Sequence, residues 1–220
     1  EEADLVSADA FLQAVHDPAL LKELEVDGES LEGYLFPETY QLGKRTPPYE
    51  IIKEMLRQFR TVYDDSFRER TDQLKMTQRE IVTLASIIEK ETAVSSERAI
   101  VSAVFHNRLK KKMRLQSDPT VIFALTDFDG NLTRKHLAIS SPYNTYQVKG
   151  LPPGPISNPG RESIHAALYP ADVDYLYFVS KNNGTHHFSK TIREHNDAVR
   201  KYQLERKSEV MCRSCTQKAG

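Results

Sequence analysis

The sequence has almost no net charge, few cysteines and no long apolar run. Its 30 Lys and Arg residues face 31 Asp and Glu, for a formal net charge of -1. Gripping nucleic-acid phosphates requires a basic excess, so a nucleic-acid partner is not expected. The run Lys110 to Lys112 is local and suits a helix C-terminus, where cations complement the dipole. No stretch approaches the length of a membrane-spanning helix, and there is no signal-peptide pattern. The opening residues, EEADLVSADAF, carry no initiator Met, and the chain reads as a fragment whose membrane anchor, if one exists, lies upstream. The two cysteines, Cys212 and Cys215, form a lone CxxC in a polar tail. A zinc site needs a second pair or a nearby His, and a redox site needs a strand before and a helix after, so these read as ordinary tail residues. No Walker loop, GxGxxG, GxSxG or HExxH is present, and no internal repeat. His186, His187 and His195 lack metal-ligand spacing, so no metal is expected.

What is present is a chain of 220 residues, 39% hydrophobic and 28% charged. That length supports one substantial core and a small appendage. The stretch that organises it runs from Met76 to Met113 and reads as two helices with a short break. Thr77 is an N-cap, and Glu80 three residues later completes a capping box. Ile81, Leu84 and Ile88 then recur at helical spacing, and the next position of that apolar stripe is Glu91. A carboxyl on a buried face has its charged form disfavoured and its pKa raised, which is what a general acid requires. The alternative stays open that Glu91 sits at a fraying helix end, or pairs with Arg98 or Arg108. Glu89 lies beside the stripe, and Glu97 falls in the first turn of the second helix, where a carboxylate complements the dipole. That second helix buries Ile100, Val101, Val104, Phe105 and Leu109, with Asn107 and Arg108 polar near the same face.

Around this centre the elements fall in order. Residues 8–24 are helical, interrupted at Asp17-Pro18, with Ser7 and Asp9 as caps. LEGYLFPETYQL (31–42) is an extended segment packed on the body. Residues 48–70 form one amphipathic helix burying Ile51, Ile52, Met55, Phe59 and Val62 or Tyr63. Asp118 as N-cap with Pro119 behind it starts a short helix to Leu125, and residues 127–135 are a polar excursion. Residues 141–160 hold five of the 11 prolines and three of the 9 glycines, which excludes regular helix or central strand. Its apolar residues would be costly to expose, so it reads as a rigid loop lining a groove, with Tyr143, Asn144 and Tyr146 suited to sugar faces. Asn158 caps a helix to about Leu168, residues 175–180 and 186–189 pair as a hairpin, and a last helix runs from Thr191 to about Lys207.

Together LEGYLFPETY, LASIIEKET, VFHNRL, MRLQSDPTVIFAL, SPYNTY, GLPPGPISNPG and the YLYFVS…HHFS pair resemble the YceG-like (MltG) endolytic murein transglycosylase family. The resemblance covers nearly the whole chain from about residue 31. It implies an α+β fold, a helical catalytic core (31–207) with a small antiparallel sheet. Before it stands the remnant of a LysM-like subdomain (1–30), and after it a polar tail (208–220). It implies cleavage of the MurNAc–GlcNAc bond of peptidoglycan with formation of 1,6-anhydro ends. The catalytic glutamate of the family carries over to Glu91, followed by Thr92. Gln116, Ser117 and Asp118 are assigned to the substrate groove, with Tyr143, Asn144 and Tyr146 opposite. No cofactor is implied. Glycan strands are the expected partner, with peptidoglycan synthases beside them. The expected location is the extracytoplasmic side of a bacterial plasma membrane, reached only through an N-terminal helix absent from this fragment. Other readings remain open: a lysozyme-like muramidase with Asp118 as second carboxylate, or a non-catalytic glycan-binding module. Relatives have also been labelled aminodeoxychorismate lyases, but pyridoxal phosphate chemistry needs a phosphate cradle and a buried lysine that the sequence does not offer.

Overall fold

A computed structural model of the chain describes residues 6–23, 26 and 28–205. The tail 208–220, with Cys212 and Cys215, lies outside the described residues. The helices in order are α1 (Ala8–Val15), α2 (Pro18–Glu23), α3 (Pro48–Val62), α4 (Asp65–Leu74), α5 (Gln78–Glu91), α6 (Ser95–Lys110), α7 (Asp118–Phe123), α8 (Arg161–Leu168) and α9 (Ile192–Val199). A hairpin of β1 (Tyr177–Ser180) and β2 (His186–Ser189) precedes α9. The strands pair antiparallel with Phe178 opposite Phe188. The fold is α+β, helical with one small sheet, as expected.

Helix α5 is the centre. Thr77 and Glu80 close the expected capping box, each satisfying a backbone N–H of the other's position. Burial is wider than a stripe: every residue from Ile81 to Ile88 is buried, because α8, α6, α4 and α7 all pack on this helix. A helical stretch buried on all sides belongs inside a core, each Ile or Leu contributing about 1.5–3 kcal/mol. The 31–42 segment packs against it, with Leu31, Tyr34, Leu35 and Phe36 all buried. Gly33 there has φ +91°, and a Cβ would meet Pro155 and Val82 at under 3 Å, so the close approach requires glycine. Val15, Leu20 and Leu21 of the first two helices belong to the same core.

Several expectations need correction. Residues 48–70 are two helices. Asp64 takes the N-cap of α4, its carboxylate accepting from Phe67 N–H, and Tyr63 turns inward to bond Thr71 at 2.5 Å. Leu56 and Tyr63 are buried in that region, while Met55 and Val62 are only partly so. Asp118 is the first residue of α7, and Ser117 holds the N-cap position. Asn158 caps nothing: its Oδ1 accepts from Gly33 and Leu35 N–H, 2.7 and 3.0 Å away, and α8 starts three residues later behind Gly160. Glu97 does more than complement the α6 dipole. It is buried, accepting from the His186 backbone N–H at 2.9 Å and meeting His186 Nδ1 at 2.7 Å, which pins the hairpin to α6.

The proline-rich loop is rigid for a visible reason. Ile156 N–H donates to Ser86 Oγ (3.0 Å) and Ser157 Oγ–H to Ser86 O (3.1 Å), tying the loop to the middle of α5. No helix among the described residues is long and apolar enough to cross a membrane.

Candidate active site

Glu91 is the last residue of α5, so the central helix delivers it to the edge of the core. Thr92 ends the helix in extended backbone and its Oγ1 accepts from Val94 N–H (3.1 Å), opening the turn into α6. The Glu91 side chain enters a cavity of about 390 Å³ that Arg108, Leu115, Gln116, Asp118, Tyr146, Tyr177, Phe178, Ile192, His195 and Asn196 also line. Thus α6, the loop before α7, the proline-rich loop, β1 and α9 meet around one carboxyl.

Burial pushes Glu91 up to about 7, and the charge of Asp118 adds to it. A hydrogen bond from Ser117 and the charge of Arg108 act against that rise. At neutral pH the carboxyl is therefore protonated in a large share of molecules, as a proton donor must be. Ser117 Oγ lies 2.5 Å from Glu91 Oε1. Arg108 is fixed rather than free to pair: Nε–H donates to Leu176 O (2.7 Å) and Nη1–H to Leu115 O (2.6 Å), with the guanidinium 5.2 Å over the Tyr177 ring. Arg98 is committed elsewhere, bound to Glu162. A simple ion pair with Arg98 or Arg108 does not account for Glu91.

Of the groove residues expected from sequence, Gln116, Asp118 and Tyr146 do converge with Glu91. Tyr146 O–H donates to Asp118 Oδ1 at 2.6 Å; burial and that bond raise its pKa, so it stays a neutral phenol. Ser117 is 1% exposed and meets Glu91. Asn144 has no exposed surface: its Nδ2 donates to Leu137 O and Ile139 O, and its Oδ1 accepts from Tyr146 N–H. It braces the loop and does not line the Glu91 cavity. Tyr143 lies on the far side of the loop, packed on Phe123 at 4.9 Å, in a separate cavity with Arg79 and Pro153. Sequence reasoning missed the wall of Tyr177, Ile192, His195 and Asn196. Burial lowers the His195 pKa, with Arg108 and His187 adding to it, so the imidazole is neutral, stacked 5.3 Å from Tyr177. Nothing local marks these residues; only Arg108, polar beside a buried face, carried a signal. Among the described residues, no group of three or more His, Cys, Asp or Glu could hold a metal ion.

An α+β body whose buried central helix carries a partly protonated carboxyl into an open, polar cavity defines a class, a candidate acid–base site. The particular family follows from comparison. The model of the YceG-like family matches residues 2–201, and the chain belongs to that family. It is 42% identical over 203 residues to an endolytic murein transglycosylase of Bacillus subtilis (strain 168), covering 92% of this chain and 53% of that protein. It is 32% identical over 218 residues to one from Streptococcus pneumoniae serotype 2 (strain D39), covering 88% and 39%. The chain thus spans about half the length, or less, of these relatives. A crystal structure of a YceG-like protein from Listeria monocytogenes superimposes with a TM-score of 0.78 at 39% identity, over 87% of this chain and 67% of that one.

Proposed function

We propose that this chain is the glycan-cleaving body of an endolytic peptidoglycan lytic transglycosylase. It cuts between MurNAc and GlcNAc inside a strand and leaves 1,6-anhydroMurNAc ends. The observation that carries this reading is Glu91, a carboxyl held up to about 7 at the end of a buried helix, in a cavity open to solvent. Similarity to two proteins named endolytic murein transglycosylase supports the substrate.

In the first step Glu91 gives its proton to the glycosidic oxygen and the C1–O bond breaks, leaving an oxocarbenium-like centre on MurNAc. The ionised Glu91 then takes the proton of the MurNAc C6 hydroxyl as O6 closes on C1. The carboxyl ends protonated, as it began, and no water is consumed. One carboxylate suffices because the nucleophile is already attached to the substrate, a proximity advantage. Gln116, Asp118 and Tyr146 line the same cavity as Glu91, and on this reading they contact the sugars. Residues 31–207 form the catalytic unit and residues 1–30 end a preceding LysM-like region. We place the domain outside the plasma membrane, tethered by a segment ahead of this chain and working beside peptidoglycan synthases.

One observation favours a second reading. Asp118 shares the cavity with Glu91, and a muramidase needs a second carboxylate. Digesting purified peptidoglycan in ¹⁸O-water separates the two. Transglycosylation gives anhydro ends without label; hydrolysis gives reducing ends that carry it, and that result would move the assignment to a hydrolase with Asp118 as its second acid.

A further inference from the structure

The Ser117 side chain falls outside the roles expected for groove residues. It is 1% exposed and does not line the cavity that Gln116 and Asp118 line. Its backbone is held at both polar groups. Its backbone N–H donates to Thr145 Oγ1 (3.0 Å), and its carbonyl accepts from Thr120 Oγ1–H (2.7 Å). Those two threonine hydroxyls bond each other at 2.8 Å, and both residues are fully buried. Gln116, just before it, sits in left-handed backbone at φ +51° with its N–H on Thr145 O (3.1 Å). A non-glycine residue persists there only when its surroundings enforce it. The backbone of Ser117 is locked, while its hydroxyl has Glu91 as its bonding partner.

We infer that Ser117 is a positioning residue for Glu91, a pinned hydroxyl that serves both protonation states of one carboxyl. Resting on the single-acid reading above, this role answers a specific demand of that chemistry: the same group must be an acid and then a base, without moving. A pinned hydroxyl donates to Glu91 Oε1 in both states. Before bond cleavage the carboxyl proton is on Oε2, available to the glycosidic oxygen. Afterwards the same donation meets a carboxylate. Ser117 neither loses nor gains a proton. Charge-assisted bonds are the stronger ones, so this donation favours the ionised state.

The test compares Ser117→Ala and Ser117→Thr with wild type on peptidoglycan across pH. For Ala, kcat falls about 10- to 100-fold with KM nearly unchanged, as expected on losing a hydrogen bond to a charged group. The basic limb of the pH profile moves up by about one pH unit, because the ionised carboxyl has lost its donor. Thr, which keeps the hydroxyl, restores both. A sugar contact would instead raise KM and leave the limb in place, and that result overturns the inference. A purely structural role lowers Tm without moving the limb, which also overturns it. Titrating the Glu91 carboxyl by ¹³C NMR, its signal identified by its absence in Glu91→Gln, reads the same shift without substrate. That separates the outcomes. If wild type makes no anhydro product, the proposed function fails. If the carboxyl titrates alike in wild type and Ser117→Ala, the role of Ser117 fails.

Discussion

Replacing Glu91 with Gln removes an ionisation while keeping size and hydrogen bonding to Ser117. The folded pKa is about 7 against an ordinary value of 4.5, and burial is the main cause. Between those pH values the folded protein binds more protons at this site than the unfolded chain, so wild-type stability falls as pH rises. Below 4.5 both states are protonated and the site costs nothing. Above 7 both are ionised and the full penalty applies. A gap of roughly 2.5 pH units at about 1.4 kcal/mol per unit is about 3 kcal/mol. The Gln variant has no such term. Urea unfolding at pH 4 and pH 9 therefore finds the stability difference, variant minus wild type, more positive at pH 9 by about 3 kcal/mol. Titrating groups remote from Glu91 are common to both proteins and cancel. A difference that is flat between pH 4 and 9 would mean that Glu91 titrates normally, and the general-acid assignment would lose its physical basis.

Other substitutions probe the frame that holds this carboxyl. Asn144→Ala orphans the Ile139 carbonyl, leaves the Leu137 carbonyl to Gln147 and frees the Tyr146 N–H, so thermal melts find it destabilised by about 2–3 kcal/mol; an unchanged Tm would argue that the side chain faces solvent. Glu97→Ala leaves His186 unpaired and loosens the hairpin from α6, costing about 2–3 kcal/mol, with amide exchange in β1 and β2 rising well before that in α5. Asp64→Ala removes the cap that separates α3 from α4 and costs about 1 kcal/mol by urea denaturation; no loss would mean that the break is set by Tyr63 alone.

What was readable from sequence, and what was not, divides by the range of the interaction. Thr77 with Glu80, and Ile81 through Glu91, are contacts within one helix, so spacing alone places them. The hairpin is similarly local, with Asn182 and Gly184 supplying the positive φ that its turn uses. Asp64 is a cap residue type, but the apolar pattern runs on through Tyr63 and Phe67 into the same core, so spacing alone does not show the break. Asn158 had the right neighbours for a cap, but its amide is taken by backbone more than a hundred residues earlier in the chain. Asn144 and Tyr143 flank one turn yet face opposite ways, which depends on what the loop packs against. The His195 wall exists only because α9 folds back over β1, and no periodicity within α9 announces it.

The most direct single measurement is mass spectrometry of the fragments released from purified peptidoglycan by wild type and by Glu91→Gln, side by side. Wild type should release anhydroMurNAc-terminated fragments, and the Gln variant none above background. Equal release of anhydro ends by both proteins would contradict the central assignment, leaving Glu91 an ordinary helix end beside a cavity that works by other means.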